Sequence, residues 1–425
     1  MTTVTLDSNY DTAEIKKRDW RIIALIGVAH SCSHFFQLVI PTLYVFLAHE
    51  FGYDFVRLGG LATAFFVVSG IGQASSGFIV DRIGPTPVLH FGLSCFVASG
   101  ILIGLADGYT MLLLAAVIGG AGNSVFHPVD YSIINHRISP LRLGHAFSIH
   151  GLTGNLGWAL TPLFITGIGL ATSWRVAAFS AAALVAVVLL LTILGRNLLS
   201  GSQEQADAQG PEAEESSAGD LSSQSIAQTL LTLGRQPALW GAFLFFASSS
   251  VALSSVQNYT IPMLGDVYGI SRVLAGSALS GYMVTAALGM LAGGFLVGAT
   301  AKTERIVFVA LVSAGLMLVL LASGVLPPPL AMVIVGLAGF CSGVAAPSRD
   351  MLIRRVTPKG ATGTVYGLVY SGMDVGASLA PLVFGIMLDA GYTRGPWVGA
   401  AVAFCLSATL AVWVASQATR TAQAK

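Results

Sequence analysis

Apolar residues form long stretches along almost the entire chain, and short polar segments separate them. Each stretch is long enough for a helix that crosses a bilayer, which needs about 20 predominantly apolar residues. The pattern predicts an all-α membrane protein with twelve transmembrane helices. The predicted spans, numbered one to twelve, cover residues 20–48, 56–80, 87–106, 109–134, 143–170, 173–194, 237–264, 270–299, 305–325, 328–353, 361–388 and 396–418.

A polar segment, residues 196–235, interrupts the apolar pattern between spans six and seven. It is rich in Glu, Asp, Ser, Gln and Ala, a composition that cannot bury a hydrophobic core. We therefore predict that it is a cytoplasmic linker between two six-helix bundles, residues 1–195 and 236–425.

The distribution of Lys and Arg predicts the orientation of the chain in the membrane. Arg57, Arg175, Arg272 and Arg394 lie on odd-numbered loops, and the remainder of the 21 basic residues lie on the termini, on even-numbered loops or near the ends of spans on that same side. Basic residues are concentrated on the cytoplasmic side of membrane proteins. We expect both termini to be cytoplasmic in a multi-pass protein of the inner membrane.

The overall composition excludes several classes of function. Only 10% of the residues are charged and 54% are hydrophobic, whereas soluble domains carry roughly 25% charged residues. The net charge of +1 argues against nucleic-acid binding, which needs a basic surface. There is no phosphate-binding loop for ATP and no soluble domain for an enzyme site. We predict a protein that is not an enzyme and uses no cofactor.

An internal repeat relates the two predicted bundles. Pro41, Pro128 and Pro162 each have a proline partner about 220 positions later in the chain, as expected for a parallel six-plus-six repeat. The two bundles are therefore predicted to be pseudo-symmetric.

Three segments carry a resemblance to a known family. Residues 77–84, Gly-Phe-Ile-Val-Asp-Arg-Ile-Gly, resemble the signature that the major facilitator superfamily carries between spans two and three. Residues 119–128 and 151–162 resemble the fosmidomycin-resistance-type branch, and so does His30 followed by Pro41. The resemblance implies the major facilitator fold and transport by alternating access, with the substrate near the midplane between the halves.

The resemblance also implies a conformational latch at Gly77, Asp81 and Arg82, although a solvated loop pair of little energetic value is the alternative. The sequence departs from the branch at two places. His34 stands where an acidic residue is usual, and Val129 and Asp130 replace the acid that directly follows His-Pro in the branch.

Span one contains the first candidate site residues. His30, His34 and Gln37 recur at i, i+4 and i+7 and share one face of the helix. They are expected either to bind substrate or carry protons, or to make hydrogen bonds between helices. Two His at i and i+4 can also chelate a metal. On their face of the helix, span one offers this pair no further ligand, neither an acid nor a Cys, and we predict no metal site.

Spans four and five add further polar side chains. Asn123, His127, Asp130 and Tyr131 form a stripe in span four, and Asn155 and Trp158 share a face of span five. His127 has an alternative role, which is to satisfy backbone groups that Pro128 leaves free. Charged groups at this depth are costly and are therefore expected to be functional. His150 also lies inside a span, without a predicted role.

The C-terminal half contributes the remaining candidates for substrate binding or proton coupling, which are Asn258, Arg349, Tyr370 and Asp374. Asp130 and Arg349 each lie two positions after paired prolines. This equivalence suggests the hypothesis that they form an ion pair across the cytoplasmic mouth, in the one conformational state in which that mouth is closed.

Three functions are compatible with these residues. The first is proton-coupled efflux of a small polar or amphiphilic compound. The second is proton-coupled uptake or exchange of a small organic anion, with Arg349 and the histidines as counter-charges. The third is a membrane sensor that transports nothing. The expected partners of a transporter are a small-molecule substrate, protons and the lipid bilayer, and we expect a monomer.

Overall fold

The computed structural model of the chain describes residues 12–200, 236–299, 302–356 and 362–423. Within these ranges the secondary structure is helical. The α-helices are α1 Ala13–Phe51, α2 Phe55–Ile83, α3 Pro85–Leu105, α4 Tyr109–Asn123, α5 Phe126–Arg137, α6 Leu143–Ala171, α7 Trp174–Leu194, α8 Arg196–Leu199, α9 Pro237–Tyr268, α10 Arg272–Ala299, α11 Thr303–Ser323, α12 Pro328–Val356, α13 Thr362–Asp389 and α14 Gly395–Gln423.

The prediction of twelve membrane spans is confirmed, because twelve segments of the described chain are helical, long and apolar enough to cross a bilayer. They form two six-helix bundles. The helices extend beyond the apolar stretches where polar caps are available. For example, α1 begins after Thr12, whose side chain accepts a hydrogen bond from the backbone N–H of Ile15. It ends at Phe51, and the next residue, Gly52, caps it with a φ of 66°. Most of the predicted linker, residues 201–235, lies outside the described residues.

The fourth span is not one continuous helix. α4 ends at Asn123 and α5 begins at Phe126. Pro128 has no N–H to donate to the carbonyl group of Ser124, which weakens the helix at this turn. The hydroxyl of Ser76 in α2 donates to that carbonyl oxygen at 3.1 Å. Ser76, rather than His127, therefore satisfies the backbone group that the proline leaves free.

The two bundles contact each other closely at the end of the spans that is opposite the chain termini. The backbone N–H groups of Phe55 and Val56 at the start of α2 donate to the carboxylate of Asp389 at the end of α13, at 2.8 and 2.6 Å. Nearby, Gly59 lies directly against the backbone of Pro381, where a Cβ would collide with the carbonyl group. The bundles are thus closed at this end.

Candidate functional site

A cavity of about 560 Å³ lies between the two bundles, and helices of both bundles form its wall. Seven of the predicted site residues line it. These are His34, Gln37, Asn123, His127, Trp158, Tyr370 and Asp374. Tyr131 of the stripe in span four and Gln257 of span seven also line it. Further polar and aromatic residues of the wall were not singled out in the sequence, among them Phe66, Gln73, Phe147, Ser250 and Ser254.

One hydrogen-bond network fixes the polar wall in the N-terminal bundle. The indole N–H of Trp158 donates to Oε1 of Gln37 at 2.9 Å, and Nε2 of Gln37 donates to Oδ1 of Asn123 at 3.1 Å. Asn123 also accepts from Ser33 at 3.1 Å and donates to Ser69 at 2.8 Å. The side chains of α1, α2, α4 and α6 are therefore held together around Asn123.

Three buried ionisable residues lie behind this wall, and we call them the buried cluster: His30 in α1, Asp130 in α5 and His150 in α6. Oδ2 of Asp130 lies 2.8 Å from Nδ1 of His30 and 3.1 Å from Nε2 of His150. The two imidazole rings stack with centroids 3.6 Å apart. Asp130 is fully buried and the histidines almost so, which makes the cluster part of the interior of one bundle.

The predicted ion pair between Asp130 and Arg349 belongs to a conformation that is closed near the chain termini, whereas the bundles here are closed at the opposite end. The carboxylate of Asp130 is enclosed within the N-terminal bundle, where its neighbours are the two histidines of the cluster. The guanidinium carbon of Arg349 lies 5.0 Å from the ring centroid of Phe246 in the C-terminal bundle. The two side chains therefore lie apart, in different bundles, in this conformation, and the gate stays a prediction for the conformation that is closed at the end near the termini.

His34 and His127 connect the cavity with the buried cluster. Both line the cavity, and their ring centroids lie 4.7 and 5.6 Å from that of His30. On its other side, His34 lies 4.3 Å from Trp158. The ring contacts thus run from the cavity through His34 or His127 to His30, and from His30 to Asp130.

In the C-terminal bundle, Asp374 lies against the backbone of α2. A Cβ at Gly70 would stand 3.1 Å from the Cβ of Asp374, so the absence of a side chain at Gly70 permits this approach. Tyr370, one helical turn earlier, packs on Phe246 with ring centroids 4.8 Å apart. Asp374 therefore lies on the cavity wall and at the contact between the bundles.

Five predicted site residues do not line the cavity, and two of these, His30 and Asp130, belong to the buried cluster. Asn155 donates to the carbonyl oxygen of Gly151 in its own helix at 2.9 Å. Asn258 accepts from the hydroxyl of Tyr44 across the bundle interface at 3.0 Å. The fifth is Arg349, whose guanidinium group lies over the ring of Phe246.

The predicted latch lies at the end of α2, opposite the closed end of the bundles. Arg82 is exposed. A Cβ at Gly77 would meet nothing within 4 Å, so packing does not require glycine there in this conformation. The side chain of Asp81 lies outside the described residues, and the latch stays a prediction.

The comparisons with known proteins agree with this architecture. The sequence matches the family model of the Major Facilitator Superfamily over residues 26–327 and 249–425. The chain belongs to the major facilitator superfamily. Members of this superfamily are membrane transporters and not enzymes, which confirms the predicted fold class and the absence of an enzyme activity.

Individual relatives and a solved structure resemble the chain to different extents. It is 34% identical to the fosmidomycin resistance protein of Escherichia coli over 175 residues, which span 40% of this chain and 42% of that relative. It is 26% identical to the probable nitrate/nitrite transporter NarK2 of Mycobacterium tuberculosis over 76% of this chain and 78% of that one. A bacterial homologue of the human lysosomal transporter Spinster, crystallised in an inward-facing and unoccupied conformation, shares the fold with a TM-score of 0.70 at 16% identity, covering 95% of this chain and 96% of that one.

Proposed function

We propose that this member of the major facilitator superfamily is a proton-coupled secondary transporter that exports a small polar or amphiphilic organic compound by alternating access. The observation that carries the proposal is the central cavity, whose wall combines Asp374 and His34 from opposite bundles. A bound compound and a titratable group would thus occupy the same space, which is what coupling requires. The closed end would face the periplasm, with both termini cytoplasmic and the monomer as the working unit in the inner membrane.

The chemistry of the cavity wall supports this substrate class. Aromatic side chains alternate with amides and hydroxyls, an arrangement that suits amphiphilic ligands. Among the described lining residues, Asp374 is the acid and neither Lys nor Arg occurs. A wall of this composition favours neutral or cationic compounds over anions. The name of the fosmidomycin resistance protein supports export of an antimicrobial-like molecule.

Transport in vesicles tests the proposal. Purified protein is first screened by thermal shift against metabolites and antibiotics, since a ligand of the folded state raises its apparent stability. The radiolabelled hit is then offered to everted membrane vesicles with an acidic interior. We expect accumulation that collapses when a protonophore is added. Accumulation that is indifferent to the protonophore would contradict proton coupling, and no flux with any hit in proteoliposomes would favour a sensor.

Uptake or exchange of a small organic anion is the second candidate. His34 and His127 on the cavity wall would provide positive charge when protonated. Relatives of the chain include proteins named as probable transporters of nitrate or nitrite and of L-galactonate. Accumulation of an anion in right-side-out vesicles with an acidic exterior, and not in everted vesicles, would favour this candidate over export.

A further inference from the structure

The buried cluster has an arrangement that hydrogen bonding alone does not explain. Nδ1 of His30 lies 2.8 Å from Oδ2 of Asp130 but lacks the alignment of a hydrogen bond, and Oδ1 of Asp130 has no hydrogen-bond partner among the described residues. Both atoms are buried. Buried polar atoms are normally paired, and a carboxylate at this depth needs a compensating positive charge.

The spacing of the three side chains matches that of ligands around one metal ion. One nitrogen from each of His30 and His150 and one oxygen of Asp130 all lie within 4.8 Å of one another. Two atoms bound to the same ion at about 2.1 Å are about 3.0 Å apart at a right angle and about 3.4 Å apart in a tetrahedron. The distances of 2.8 and 3.1 Å from Oδ2 of Asp130 to the two nitrogens are close to the first value.

We propose that His30, Asp130 and His150 bind a divalent transition-metal ion. Imidazole nitrogens suit Zn²⁺, Co²⁺ and related ions, whereas Mg²⁺ and Ca²⁺ are bound mainly by oxygen ligands. The ion would supply the charge that Asp130 needs and would reach the cluster from the cavity past His34 or His127. The three ligands come from three helices, so a bound ion would link α1, α5 and α6 to one another. The proposal rests on the cluster and is independent of the proposed direction of transport.

Metal binding to the full-length protein tests the site directly. The protein is purified with a tag that contains no histidine, treated with a chelator and equilibrated with Co²⁺. We expect one tightly bound equivalent by mass spectrometry of the metal, with visible Co²⁺ bands that report imidazole ligation. Co²⁺ should also raise the apparent melting temperature of the unaltered protein, and the same concentration of Mg²⁺ should not. Less than about 0.2 equivalents bound, with no Co²⁺-specific stabilisation, would overturn the proposal.

Variants identify the ligands. Asp130→Asn and His150→Gln should each bind Co²⁺ at least tenfold more weakly and lose the visible bands. His49→Gln and His136→Gln are matched controls on exposed histidines and should bind like the unaltered protein. Size-exclusion profiles establish that each variant is folded. Two cluster variants are included, so that if one fails to fold the other still tests the assignment. Unchanged binding in a folded cluster variant, or its loss in a control, would overturn the assignment.

Discussion

The hydroxyl group of Tyr44 in α1 donates a hydrogen bond to Oδ1 of Asn258 in α9, 3.0 Å away. Both side chains are buried, and each belongs to a different bundle. The bond therefore exists only while the bundles are closed at the end opposite the termini. Alternating access requires that end to open, so the transporter must break this bond in each cycle.

Removal of the Tyr44 hydroxyl should favour the opposite conformation. We expect Tyr44→Phe to lower the stability of the closed end by about 1 kcal/mol, a shift of about fivefold in the equilibrium between states. Spin labels at Asp107 and Tyr392, in exposed loops of the two bundles, should show a larger long-distance population. Tyr109→Phe is the control, because its hydroxyl donates to Arg57 within one bundle. Identical distance distributions in Tyr44→Phe and the unaltered protein would contradict the prediction.

Asp389 offers a second test of the closed end. Its carboxylate accepts from the first backbone N–H groups of α2, in the other bundle, where a negative charge also interacts favourably with the helix dipole. Asp54 directly precedes the same helix and also caps it, because its side chain accepts a hydrogen bond from the backbone N–H of Arg57 at 2.8 Å.

Replacement of either acid by Ala should cost about 1 kcal/mol, typical of a lost helix cap. Asp389→Ala should shift the distances between the spin labels, whereas Asp54→Ala should lower the apparent melting temperature without that shift, because its bond persists in both states. Equal shifts in the two variants would show that Asp389 acts only as a local cap.

Much of the fold could be predicted from the sequence because a bilayer imposes a strong length requirement on apolar segments. The ends of the spans were less predictable. α1 is 39 residues long, since polar residues at its start remain helical outside the apolar stretch. Span four was predicted as one helix because hydropathy does not show where a helix divides, although the sequence did indicate backbone groups that Pro128 leaves free.

The site was predictable only where its residues share one helix. His34 and Gln37 were found as a stripe on span one and do line the cavity. The role of His150 was missed, although the sequence showed an ionisable residue inside an apolar span. Its neighbour Asp130 is on a different helix, and one sequence does not reveal which helix faces pack together. For the same reason, the pairing of Asp130 with Arg349 rests on repeat symmetry alone and stays a prediction.

Asn123 should be important for stability. It bonds to Ser33, Gln37 and Ser69, so Asn123→Ala leaves several buried polar groups without a partner, at a cost of about 1–3 kcal/mol. The apparent melting temperature in detergent should fall by several degrees. Asn155→Ala is a matched control, because within the described part of the chain that amide bonds to Gly151 of its own helix, and it should change the temperature little. A larger loss in Asn155→Ala would contradict the role of Asn123.

Asp374 should couple transport to protons. Asp374→Asn preserves the size of the side chain at its contact with Gly70 but cannot release a proton. We expect exchange of substrate across proteoliposomes to persist while accumulation driven by a pH gradient is lost. Asp107→Asn, on an exposed loop, should transport normally. Normal pH-driven accumulation in Asp374→Asn would exclude Asp374 from coupling.

His30 and His34 share a helix face, yet the structure predicts that they fail in different ways. His34 lines the cavity beside Trp158, so His34→Ala should fold and reach the membrane in normal amounts but lose proton-coupled flux. His30 is buried against Asp130. His30→Ala removes one partner of a buried charge, which typically costs about 3–5 kcal/mol, and should lower the yield of folded protein.

A double variant separates lost charge compensation from lost packing at His30. If the penalty in His30→Ala comes from the carboxylate left behind, then adding Asp130→Asn should restore part of the apparent melting temperature, because the neutral amide costs less to bury. Asp130→Asn alone should be destabilised less than His30→Ala. Fluorescence-detected size exclusion and thermal unfolding of the four proteins measure the interaction between the two positions. Strictly additive losses would mean that His30 contributes only its volume, and that the charge of Asp130 is compensated without His30.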